Sequence, residues 1–96
     1  MTTKTITLDS PIARGDTSIA TLVLTKPSVG ALRGISLSAL VTMDVDALIT
    51  LLPRITSPAL TKNDVMALDI ADLVAMGDAV MGFLLEANAS RLESNP

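Results

Sequence analysis

Two pairs of aspartates are the residues in this chain whose type and spacing could do chemistry. Asp69 and Asp72 fall on one turn of a helix, and Asp44 and Asp46 sit near the start of another. Two carboxylates in one site can divide the work of general acid and general base, provided their surroundings separate their proton affinities. The same spacing also arises for a plainer reason. Aspartate is favoured at helix N-termini, where its oxygens accept hydrogen bonds from free N–H groups and its charge meets the positive end of the helix dipole. The capping reading is preferred for both pairs.

The remaining composition supports it. The chain of 96 residues contains no histidine and no cysteine. That excludes Ser-His-Asp and Cys-His nucleophilic sites and every common zinc site except an all-carboxylate one. The five glycines are isolated, so no phosphate-cradling loop is formed. No cofactor, no metal and no enzymatic activity are expected. Arg14-Gly15-Asp16 spells an adhesion tripeptide. Glycine and aspartate are also ordinary turn residues, so Arg14 is expected at a solvent-facing hairpin tip and the loop is expected only to turn the chain.

Charge and hydropathy narrow the partners. Ten acids face seven scattered bases, for a net charge of −3, and Phe83 is the only aromatic residue. Neither a basic patch nor stacking aromatics are available for nucleic acid. The apolar run from Ile70 to Ala87 is interrupted by Asp72, Asp78 and Glu86, which a membrane-spanning helix tolerates poorly. The first ten residues lack the apolar core of a signal peptide. No nucleic acid and no membrane are therefore expected as partners.

The elements that carry these residues follow from periodicity. KTITLDS and SIATLVLTK alternate, with Ala20, Leu22 and Leu24 on one face of the second stretch. They predict a β-hairpin over about 4–26, with its loop near residues 10–17. A hairpin alone is marginal in water and needs something to pack on. Helical spacing supplies it over about 28–88. A short helix starts near Ser28 and stops at Gly34, and residues 27–43 as a whole are left open. Asp44 should cap a helix carrying Leu48 and Leu52 and containing Pro53. Thr61 and Asp64 resemble a capping box before a helix at about 62–68. Asp69 could cap the last helix, expected to run from Ile70 to Ala87, followed by a frayed polar tail at 89–96. Asp78 is expected on the solvent face. The fold class is α+β: an N-terminal β-hairpin packed against three to four α-helices in a single small domain.

The last helix has two apolar stripes, Leu73, Met76, Val80, Phe83 and Leu84 on one and Val74, Met81 and Leu85 on the other. Such a helix is either central to the core or partly reserved for a partner. Methionine adapts to varied binding surfaces. The candidate partner-binding residues are therefore Met76, Val80, Met81, Phe83, Leu84 and Leu85, with Leu48 and Leu52 from the Pro53-containing helix.

In order along the chain, several pieces carry a family resemblance: the strand ending in Leu8, Pro11, the turn glycine Gly15, SIATLVLTKP, the Leu32-Arg33-Gly34 step, DVDALITLLPRIT, the Leu68-Asp69 and Asp72-Leu73 steps, and Phe83. Over about Ile6 to Leu85 the chain resembles the bacteriophage tail assembly chaperone family. The resemblance implies a non-catalytic protein of the infected host cytoplasm that binds the tape measure protein and supports tail-tube assembly. It implies absence from the mature virion, and it makes a longer product of translational frameshifting an expectation. The tail-tube protein and a second copy of the chain are further candidate partners. The alternative is a minor structural tail protein retained in the virion.

Overall fold

The computed structural model describes residues 2–94, with side chains described up to residue 87. Two long strands open the fold, β1 (Thr3–Arg14) and β2 (Thr17–Thr25). They are joined by a tight turn in which Gly15 takes a φ of +57°, a conformation glycine adopts at no steric cost. The turn is thus shorter than a loop over 10–17, and Pro11 lies inside β1. A two-residue strand, β3 (Thr56–Ser57), adds to β2, giving a three-stranded antiparallel sheet in the order β1-β2-β3.

The hairpin contains a large bulge. Thr7 pairs with Thr21 and Ile12 pairs with Ile19, so residues 8–11 of β1 face only Ala20 of β2. The mismatch shifts the register by an odd number of residues, which inverts the faces of β2 on either side of it. Leu22 and Leu24 are buried as the alternation predicts, but beyond the bulge it is Ile19 that is buried and Ala20 that is exposed. The expected face holds for half of the strand and reverses for the other half.

The helices follow. A 3-10 turn (Gly30–Leu32) occupies the stretch expected to be a short helix. Helix α1 (Leu37–Val41) is capped by the Ser36 hydroxyl and resolves the segment left open by sequence. Helix α2 (Val45–Ile55) is capped by Asp44, whose Oδ2 accepts from the N–H of Ala47, and it carries Pro53 within it. Helix α3 (Lys62–Met66) begins with the expected capping box between Thr61 and Asp64. Helix α4 spans Ile70–Ser94, beyond the expected end at Ala87. The expected frayed tail at 89–96 falls partly in this helix and partly, at 95–96, outside the described residues.

The core is aliphatic apart from Phe83. Leu8 and Ile12 of β1, Leu22 and Leu24 of β2, Leu48, Leu51, Leu52 and Ile55 of α2, and Met76, Val80 and Phe83 of α4 close on one another. Leu40, Leu60 and Val65 seal its margins. The result is α+β, a hairpin-based sheet covered by helices.

Candidate functional site

The four aspartates considered for chemistry are all engaged in holding the fold. Asp44 caps α2. Asp69 accepts from the N–H of Ala71 at 3.2 Å and so caps α4, and its other oxygen accepts from the Ser10 hydroxyl at 3.2 Å. Asp46 lies in the first turn of α2, where the dipole favours it. Asp72 does something no sequence pattern indicated. It is 2% exposed, and its two oxygens accept from the backbone N–H groups of Asp9 and Ser10 at 2.7 and 3.0 Å. Those two amides sit in the stretch of β1 that faces only Ala20 of β2. A buried carboxylate needs such donors, and the bulge needs such an acceptor.

The Arg-Gly-Asp stretch is tied down as well. Arg14 does not project from the tip. Its guanidinium donates to the carbonyl of Ala59 at 3.2 Å and forms an ion pair with Asp64 of α3. The backbone N–H of Thr61, with the Arg14 guanidinium beside it, holds the Asp64 carboxyl below the usual carboxylate range. Glycine reverses the chain and arginine fastens the hairpin end to α3. Among the described residues no group of three or more acidic side chains could hold a metal ion, and no helix is long and apolar enough to cross a membrane.

The apolar candidates divide sharply. Met76, Val80, Phe83, Leu48 and Leu52 are at most 2% exposed and belong to the core. They cannot offer a surface in this conformation. The physical reason is volume: without tryptophan or tyrosine, these side chains are what fills the space between sheet and helices. Met81 and Leu84 are half-buried, and Leu85 is 63% exposed. The candidate surface therefore narrows to the second stripe of α4. Sequence reasoning missed Ile70 at one end of it, which is 68% exposed, and the exposed Leu37 and Val41 of α1.

The outward face of α4 borrows from both stripes and has a regular spacing. Ile70, Val74, Gly77, Met81 and Leu84 follow one another at alternating intervals of four and three residues, with Leu85 beside them. That repeat keeps one line of side chains facing a helix that runs alongside. Near its C-terminal end, an apolar groove of about 220 Å³ lies between Pro27, Val29, Leu32, Leu37 and Leu84. A larger depression of about 630 Å³, among Thr2, Lys26, Ser28, Arg54 and Thr56, is more polar. Arg54 there donates to the carbonyls of Ala31 and Arg33, both at 2.8 Å, and so fixes the connection out of the sheet.

Two glycines of α4 let other elements approach it. A Cβ at Gly82 would collide with the Lys4 ammonium, which pairs with Glu86 at 2.9 Å and lies 5.2 Å from the centroid of the Phe83 ring. A Cβ at Gly77 would lie 2.7 Å from the sulfur of Met43. Lys4 thus pins α4 to β1, and Met43 seats the end of α1 on α4. What this arrangement presents to solvent is apolar helix surface.

Residues 5–85 match the sequence model of the family described as "Phage tail assembly chaperone proteins, E, or 41 or 14". The chain is 53% identical over 79 residues to tail assembly protein E of Escherichia phage P2, covering 82% of this chain and 87% of that protein. It is 52% identical over 80 residues to tail assembly protein E′ of the same phage, covering 83% of this chain. The chain spans only about half, 56%, of the length of E′. No solved structure matches.

Proposed function

The chain belongs to the phage tail assembly chaperone family, and on that premise we propose that it binds the tape measure protein of its phage in the host cytoplasm. Bound, it keeps that long helical protein from aggregating while tail-tube subunits assemble around it. It works by holding and does no catalysis. The observation that carries this reading is the exposed apolar stripe on α4. Ile70, Val74 and Leu85 are each at least 45% exposed. They share a helix face with the half-buried Met81 and Leu84. Helix-in-groove recognition uses such a face. A net charge of −3 helps to keep the unloaded protein dispersed.

The two relatives support a further part of the reading. One phage has both a short and a long tail assembly protein related to this chain over about the same span. A longer product carrying this same domain, made by translational frameshifting, is accordingly part of the proposal. The domain would deliver the client, and the added segment would meet the tail-tube protein.

The test is co-expression with the tape measure protein encoded by the same phage. We expect the client to move into the soluble fraction and to co-purify with this chain. We also expect the chain to be missing from purified virions. A client that stays insoluble and unbound, with this chain and with any longer product alike, contradicts the reading. Its retention in virions would mark a structural tail subunit instead.

A further inference from the structure

We propose that α1 is a lid. It occupies the α4 stripe in the unloaded protein and swings aside to admit a helix of a partner protein whose apolar stripe is flanked by basic residues. This rests on the reading that the chain captures a helical client.

The segment that would move is bracketed by two residues in left-handed conformation, Gly34 at φ +78° and Met43 at φ +59°. A left-handed backbone is unfavourable for a bulky side chain. Met43 is the left-handed residue of the C-cap of α1, where its N–H donates to the carbonyl of Leu40 at 3.0 Å and the N–H of Asp44 donates to that of Ala39 at 2.9 Å; its thioether rests against Gly77 of α4. Between the brackets, α1 is five residues long. Ser36, Leu37, Ser38, Val41 and Thr42 are exposed, and Leu40 alone is fully buried. A segment with so little buried surface belongs to the parts of a fold that open first.

What α1 covers is specific. Met43 sits on Gly77, and Leu37 lines a groove with Leu84. These α4 positions belong to the repeat Ile70, Val74, Gly77, Met81, Leu84. With α1 in place the stripe is covered at Gly77, half-buried at Met81 and Leu84, and exposed at Ile70 and Val74. With α1 displaced it runs unbroken for about four turns, enough for a helix to lie along it. That the occupant is a helix is argued by the repeat and by α1 itself, a helix already packed there. Its charge is argued by the flanks. Asp78 follows Gly77, Asp44 follows Met43, and Asp46 stands two residues beyond Asp44 in the first turn of α2, all exposed. Among the described residues none of the three forms an ion pair with a cation, and complementary charge favours lysine or arginine beside the partner's apolar stripe.

The chain has no cysteine, so the lid can be locked cleanly. In a Met43→Cys/Gly77→Cys variant, crosslinking with dibromobimane would fix α1 on α4, and the same protein before crosslinking is its own folded reference. The probe is a synthetic helical peptide with leucine at alternating four- and three-residue intervals and lysines on its flanks. We expect crosslinking to weaken peptide binding by about tenfold or more, and to slow amide exchange in residues 36–43. A single Gly77→Ala change, which crowds Met43 off the notch, should speed that exchange and strengthen binding. A peptide with glutamate flanks should bind less well than the lysine one. Equal binding by crosslinked and uncrosslinked protein, or exchange in 36–43 only through global unfolding, overturns the lid. Should neither form bind the peptide while wild type still captures the tape measure protein, the lid fails and the chaperone reading stands. If the peptide obeys the lid but the tape measure protein is not captured, the lid stands and the chaperone reading fails.

Discussion

The carboxylate of Asp72, on α4, accepts the backbone N–H groups of Asp9 and Ser10, on β1, at 2.7 and 3.0 Å. One side chain thereby ties the longest helix to the bulge that sets the faces of the sheet. Asp72→Ala leaves those two amides without their acceptor, and charge-assisted hydrogen bonds contribute more than neutral ones. We expect a loss of about 2–3 kcal/mol of stability, read from the urea midpoint at unchanged slope. A change below about 0.5 kcal/mol would mean that water replaces the carboxylate without cost.

Phe83 is 1% exposed, so it serves the core and not a partner directly. Phe83→Ala should cost about 3–5 kcal/mol, since nothing nearby is large enough to fill the space. A loss that size consumes much of the stability of a domain this small and should appear as a lowered and broadened thermal transition. A variant that melts like wild type would show that the aliphatic side chains around it can close the gap.

The capping box that begins α3 also predicts a pH dependence. Asp64 has its proton affinity lowered in the folded state, first by the Thr61 N–H and then by Arg14. A carboxylate lowered on folding contributes stability above its unfolded value, near pH 4, and that contribution is lost as pH falls through the folded value. Asp64→Asn should therefore narrow the gap in stability between neutral pH and about pH 3. Denaturant melts at several pH values measure it. Parallel curves for variant and wild type would assign the acid sensitivity to other carboxylates.

The exposed residues of the α4 stripe should behave in the opposite way to the core. Val74 and Leu85 are 45% and 63% exposed. Replacing both with glutamate should leave stability within about 0.5 kcal/mol of wild type, as surface changes usually do. A large drop in melting temperature would show that these side chains are structural after all.

Much of this could be read from the chain itself, and the reasons for the rest are physical. Local signals were reliable because they act over a few residues: the turn at Gly15, the caps at Asp44 and Asp69, and the Thr61–Asp64 box all depend on neighbours in sequence. The bulge was not visible, because it depends on four residues of β1 facing one residue of β2. The role of Asp72 was hidden for a related reason, as its donors lie more than 60 residues away. Sequence placed Asp72 at a helix start, which is right, and only tertiary packing turned its carboxylate inward. α1 was ambiguous because five residues are too few to establish a period. The partner-surface candidates mixed core and surface because α4 is apolar around much of its circumference. Periodicity finds two stripes in such a helix but cannot say which one the sheet will cover.

The most direct test of the central claim is capture of the tape measure protein by wild type and by the Val74→Glu/Leu85→Glu variant, co-expressed and purified in parallel. The account predicts a soluble, co-eluting client with wild type. It predicts an insoluble, unbound client with the variant, although the variant itself stays folded. Equal capture by both would contradict the claim that the α4 stripe is where this chain meets its client.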